Sequence, residues 1–264
     1  MLKALKAKRK QTLIAFTFCA LLISCGKRQP PLPPIERVPQ RTEIGGVQRG
    51  SRIILSWTTP ARNAAAGSVL NIDRIDIYRL AEPLDSPLVL TEEEFASRAT
   101  LIATVPIAES DFGRQEMRYE DDLALAGQKA RLRYAARYAN RSGQKAAYSN
   151  FFLIEPAARV AEPPLLAALE PSQDAVTIRW SPPARNIDGS DPANIIGYNV
   201  YRSDGTAVRK LNSSPVTSES FADRFFEFGR TYVYQVRTVS LGIDAAPVES
   251  LDSRELSIVA TDTF

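Results

Sequence analysis

The chain has 264 residues, 44% hydrophobic and 24% charged, which is enough apolar material for one large or two ordinary domains and too much for global disorder. Its 33 basic and 30 acidic residues give a formal charge of +3, and it contains no histidine. Without the usual general base near neutral pH and the commonest metal ligand, Ser-His-Asp and Cys-His hydrolases are excluded, and so are most zinc sites.

Residues 1–24 read as an export signal. Lys3, Lys6, Lys8, Arg9 and Lys10 precede an uncharged run of 12 residues from Thr12 to Ile23. As a helix, that run spans about 18 Å against about 30 Å of hydrocarbon, so it suits a signal core and not a transmembrane anchor. Loss of these five cations leaves 28 basic against 30 acidic groups, a balance of −2. Polyanion binding driven by net charge thereby loses its basis, and no nucleic-acid partner is expected. Cys19 leaves with the signal, so Cys25 alone is retained and no intramolecular disulfide forms.

The segment Leu22-Ile23-Ser24-Cys25 resembles the bacterial lipobox. That resemblance implies a diacylglycerol on the Cys25 sulfur, cleavage before it, and acylation of its new amino group. Several acyl chains together hold a protein at a bilayer, so the implied partner is a membrane and the implied location the cell envelope. Gly26, where an Asp would signal retention at the inner membrane, points by the same resemblance to the outer membrane. Residues 25–40, with prolines at 30, 31, 33, 34 and 39, favour an extended polyproline II tether.

The remainder is duplicated. Ile53-Ile-Leu-Ser-Trp57 recurs as Val176-Thr-Ile-Arg-Trp180, and Ile75-Asp-Ile-Tyr-Arg79 as Tyr198-Asn-Val-Tyr-Arg202, both at an offset of 123. Tyr134-Ala-Ala-Arg137 recurs as Tyr234-Gln-Val-Arg237 at an offset of 100, so the first copy carries about 23 extra residues between its middle strands. Within these blocks apolar and polar residues alternate, the mark of strands with one buried and one wet face. Short strands, Pro-, Asn- and Gly-rich turns and copies of ordinary domain size predict an all-β chain of two sandwiches. Thr91 and Glu94 have capping-box spacing for a short helix in the extra length of the first copy.

The second copy resembles the fibronectin type III family, a variety of immunoglobulin-like β-sandwich. Trp180, Pro182-Pro183, Asp188-Gly189-Ser190, Ile196 to Val200 and Gly229-Arg230-Thr231-Tyr232 carry the resemblance. It implies that Trp180 fills the space between the sheets and that Tyr232 is a corner residue whose hydroxyl bonds to nearby backbone. In the first copy Leu132 replaces the corner tyrosine. The expected organisation is a signal at 1–24, a lipidated tether at 25–40, and fibronectin type III-like units at 41–156 and 163–264, joined by a linker too short for free tumbling.

Three acidic groupings deserve comparison with glycoside hydrolase carboxylates: Glu92-Glu93-Glu94, Glu120-Asp121-Asp122 and Asp188/Asp191. The first suits a helix N-terminus, the second a turn closing a strand, and the third a loop with a faint calcium-like composition that lacks EF-hand spacing. No cofactor or metal is expected. The outward face of the middle strands is the preferred binding candidate: Tyr78, Arg133 and Arg137 in the first copy, Tyr201 and Arg237 in the second. Tyrosine with arginine offers stacking and forked hydrogen bonds to an envelope protein or polysaccharide. A simpler arrangement has Arg131 and Arg133 paired with Asp76 on a solvated face. The expected function is a non-catalytic binding or scaffolding module, with an enzyme or accessory subunit acting on polysaccharide as the alternative. Mass spectrometry of the mature N-terminus is expected to find a lipid-modified Cys25 at residue one; an unmodified Cys25 or cleavage elsewhere contradicts the lipobox reading.

Overall fold

A computed structural model describes residues 39–123 and 129–261. The signal segment, the lipobox with Cys25 and all but the end of the tether lie outside the described residues. The first half contributes β1 (Ile44–Arg49), β2 (Arg52–Thr58), β3 (Arg74–Glu82), the helix α1 (Glu92–Arg98), β4 (Thr100–Pro106), β5 (Glu116–Asp122), β6 (Arg131–Ala139) and β7 (Phe152–Ile154). The second contributes β8 (Leu165–Pro171), β9 (Val176–Ser181), β10 (Gly197–Ser203), β11 (Val208–Lys210), β12 (Ser220–Asp223), β13 (Thr231–Leu241), β14 (Pro247–Glu249) and β15 (Leu256–Val259).

The protein is all-β in character, with sheets packed face to face as in a β-sandwich. In the first half, β1, β2 and β5 form one layer and β4, β3, β6 and β7 the other. Ile53, Leu55 and Trp57 meet Ile75, Ile77, Tyr134, Ala136 and Tyr138 between them. In the second half β8, β9 and β12 face β11, β10, β13 and β15. Leu166, Val176, Ile178 and Trp180 pack there against Tyr198, Val200, Tyr234 and Val236. Period-two alternation in β2 and β9 therefore marks their inner faces. Trp180 is buried as the sequence predicts, and the Glu227 N–H donates to the Tyr232 hydroxyl at 3.1 Å, which closes the corner. Leu132 is simply part of the first core.

Alternation fails on the middle strands of the first half. Asp76, Tyr78, Leu80 and Glu82 point away from the main core, yet all four are buried. The cause is the extra sequence between β3 and β4, which folds back across this outer face. Thr91 caps α1 through the expected capping box with Glu94, and the helix presents Phe95, fully buried, to Tyr78, Leu80, Ala135 and Tyr148. Arg133 ties the covering loop down: it bonds Glu82 at 2.8 Å and donates to the Pro87 and Leu88 carbonyls at 3.1 and 3.0 Å. Arg131 donates to the Ser86 carbonyl.

The halves are joined by backbone pairing as well as by the linker. β14 runs parallel to β1 with Glu249 opposite Arg49, and the Gly50 N–H donates to the Glu249 carbonyl at 2.7 Å. One hydrogen-bonded path thus runs β11-β10-β13-β14-β1-β2-β5. Gly50 has φ 52°, and a Cβ there would lie 2.9 Å from both the backbone and the side chain of Leu251, so the turn needs glycine for conformation and for room. The Gln48 amide bonds both backbone groups of Ala157 in the linker, at 2.8 and 2.9 Å.

The Arg133–Glu82 pair has 1% and 0% side-chain exposure. Removing one partner of such a pair leaves an uncompensated buried charge and costs about 3–5 kcal/mol. Arg133→Met is expected to lose that much in denaturant unfolding, whereas a loss below about 1 kcal/mol, typical of exposed pairs, contradicts the buried placement.

Candidate functional site

β3 and β6 pair with Asp76 opposite Arg137, which sets Tyr78 diagonally across from Arg137. The Arg137 guanidinium lies 5.0 Å from the Tyr78 ring centroid and 4.3 Å from that of Tyr148, and it donates to the Tyr78 hydroxyl at 3.0 Å. Lys145 donates to the same hydroxyl at 3.0 Å and pairs with Asp76 at 2.9 Å. Arg74 completes the salt bridge to Asp76 at 3.1 Å. Burial raises the Asp76 pKa, but the hydrogen bonds and charges of Lys145 and Arg74 outweigh it and hold the carboxyl below its ordinary value.

The second half repeats this arrangement with different charges. The Arg237 guanidinium stacks 4.0 Å from the Tyr201 ring and bonds Glu249 at 2.8 Å and Asp252 at 2.6 Å. Glu249 also accepts from the Tyr201 hydroxyl and the Asn199 amide. Burial together with the Glu249 carboxylate pushes the Tyr201 phenol up to about 12. Arg49, arriving on β1, is half-buried here; desolvation and Arg237 lower its pKa.

Ladder geometry gives the correspondence. Ser149 exchanges hydrogen bonds with Ala136, and Ser253 does the same with Val236. Ala139 pairs with Lys145 as Val239 pairs with Glu249. Lys145 therefore stands where the second half has Glu249, and Tyr148 where it has Asp252.

The structure joins Tyr78 to Arg137 and Tyr201 to Arg237, and places Arg133 apart, against Glu82. It corrects the expected outward presentation of these side chains. Tyr78, Arg133 and Arg237 retain 8%, 1% and 6% exposure, because the α1 insert covers one face and the β1–β14 junction abuts the other. Arg137 and Tyr201 are partly exposed. The pairing of Arg131 and Arg133 with Asp76 is also corrected: Asp76 takes Arg74 and Lys145.

Of the acidic groupings, Glu120-Asp121-Asp122 forms the end of β5, and Asp121 is buried there. It accepts from Arg79 at 2.7 and 2.9 Å and from the Tyr134 hydroxyl at 2.6 Å. Asp223 repeats this with Arg202 at 2.6 Å and Tyr234 at 2.8 Å. Burial and the adjacent carboxylate raise both phenols well above their ordinary values. Glu120 and Asp122 bond Arg52 at 2.9 and 2.6 Å. Asp188 caps its own loop through Ser190 at 2.6 and 2.9 Å, and Asn186 ties the loop to Ser190 and Pro192. Among the described residues no three His, Cys, Asp or Glu side chains gather as a metal site, and no helix is long and apolar enough to cross a membrane.

Sequence reasoning missed Glu249, Asp252, Lys145 and Tyr148. At the offset of 104 that the ladders set, residues 145–150 share only the Ser149/Ser253 match with 249–254, too little for the sequence to signal them.

No family model matches the chain. Among solved structures, it is similar to the FN1–FN3 domains of chicken CNTN1, with 11% identity, a TM-score of 0.33, and coverage of 91% of this chain and 76% of that one.

The Glu249 carboxyl shows the sign of the pH dependence at the junction. Burial raises its pKa, but hydrogen bonds from Tyr201, Arg237 and Asn199 bring it below the ordinary 4.5. Its stabilisation is present above the unfolded value and fades as pH falls through the lower folded one. The stability gap between wild type and Glu249→Gln is expected to be widest near neutrality and to close on acidification below about pH 4; a gap unchanged from pH 7 to pH 3 contradicts this account.

Proposed function

We propose that this chain is an envelope lipoprotein in which lipidated Cys25 fixes the protein at the outer membrane. The Pro-rich segment lifts off a body of tandem fibronectin type III-like units, which act as a non-catalytic protein- or glycan-binding scaffold. Confinement at the membrane raises the local concentration of a modest binding surface.

One observation carries the non-catalytic part: in each acidic grouping at least one carboxylate that a hydrolytic pair would need is committed to structure. Asp121 is held by Arg79 and Tyr134, Glu120 and Asp122 by Arg52, Glu94 by the helix cap, and Asp188 by its own loop. A groove of about 600 Å³ is lined mostly by apolar groups such as Leu84, Ala157, Leu241 and Ile243. This composition suits contact better than acid–base chemistry. Fusion of the halves through β1 and β14 supports scaffolding, since a module with fixed geometry sets the spacing of whatever it holds.

In intact cells, crosslinking is expected to recover a discrete envelope partner. Cys25→Ser, which frees the chain from its anchor, is expected to lower the yield at least tenfold. An unchanged yield from the unanchored chain, or hydrolysis of envelope polysaccharide by the purified protein, contradicts the proposal.

A further inference from the structure

At one end of the second half, the loop between β12 and β13 reads Arg224-Phe225-Phe226-Glu227-Phe228. Phe225 is 86% exposed and Phe228 46%, and Val208 on β11 is 59% exposed. Phe225 and Phe228 lie on one short loop, so two apolar rings are exposed together there. The backbone at Phe225 is firmly held. The Phe225 N–H donates to Asp223 at 3.0 Å, and its carbonyl accepts from Arg202. Asp223 and Arg202 belong to the buried triad with Tyr234, so the core itself fixes the backbone from which the ring projects. Phe226 supports the tip from below, edge-on to Phe228 at 5.3 Å.

Cations surround this tip. Arg209 and Arg230 line the same hollow, about 390 Å³, as Phe225 and Phe226. Exposed Arg224 immediately precedes Phe225. Among the described residues, Arg209 and Arg224 make no ion pair. The local carboxylates are already engaged: Glu227 bonds Arg230 at 2.8 Å, Asp204 turns back onto Thr206 at 2.6 Å, and Asp223 is internal.

We propose that the Phe225 tip with Arg209 and Arg224 docks on an anionic phospholipid surface. Bare aromatic rings enter the boundary between headgroups and acyl chains, while unpaired cations meet phosphates around them. Charge complementarity favours this over a neutral apolar partner. The projecting rings favour it over a purely ionic polyanion, which would have no use for them. The inference does not depend on Cys25, because the docking tip lies wholly in the second half.

The polypeptide 37–264 contains all the described strands and all three buried clusters and lacks the leader, so it separates this contact from any lipid anchor. Its sedimentation with phosphatidylcholine vesicles is expected to rise at least tenfold when phosphatidylglycerol is included, and to fall again at high salt. Phe225→Ser, at a position with almost no packing to lose, is expected to abolish most of the gain with an unchanged melting temperature. Arg209→Ser with Arg224→Ser is expected to remove the preference for anionic lipid. Equal sedimentation with both vesicle types overturns the proposal, as does full binding by Phe225→Ser. Binding to a soluble acidic polysaccharide with none to vesicles overturns it in favour of a glycan partner.

Discussion

Glu249 is the point on which the two halves turn. Its carbonyl accepts the Gly50 N–H from the first half, while its carboxylate gathers Tyr201, Arg237 and Asn199 in the second. One residue thus ends the strand that bridges the halves and, with Asp252, balances the charge cluster beneath it. A buried guanidinium without such a partner would carry the full penalty of desolvation. Where Glu249 sits decides where β1 can pair, and Gly50 is the only residue type that fits the resulting approach.

The duplication shows which interactions the fold requires and which are free to change. The Arg–Asp–Tyr triads recur, Arg79 with Asp121 and Tyr134, and Arg202 with Asp223 and Tyr234. Each bonds a buried carboxylate between a strand edge and a core tyrosine, and breaking either would leave a charge in an apolar interior. Both tryptophans are likewise core residues whose indole N–H has no hydrogen-bond partner, so it is ring volume that they contribute. The outer faces diverge. Lys145 and Tyr148 in the first half make a cationic, aromatic cluster under an added helix, whereas Glu249 and Asp252 in the second make a neutralised one beside the junction. The same scaffold position therefore closes a domain face in one copy and joins the copies in the other.

Strand identity, the capping of α1 and the inner faces of both halves were legible because period-two patterns and local cap spacing are properties of short windows. Trp57 and Trp180 could be placed from the repeat, and Tyr232 from the fibronectin type III resemblance. The burial of Tyr78, Arg133 and Arg237 was not legible. A Tyr-Arg pattern looks the same whether water, a loop or another strand covers it, and the covering pieces come from residues 83–99 and from β1, distant in sequence or in the other copy. The buried pairing of Asp121 was hidden for the same reason: its partner Arg79 lies 42 positions away. Glu249 was hidden because the chain between β13 and the last strand differs in length between copies, which breaks the offset of 100.

The body from Arg37 onward contains no cysteine, so paired spin labels can be placed cleanly at exposed Ala96 in the first half and exposed Thr217 in the second. The account predicts a single narrow distance distribution between them, which broadens when Gly50→Val and Glu249→Ala together remove the junction. A broad distribution in the unaltered chain, or a narrow one that survives both substitutions, would show that the halves are not held by Glu249.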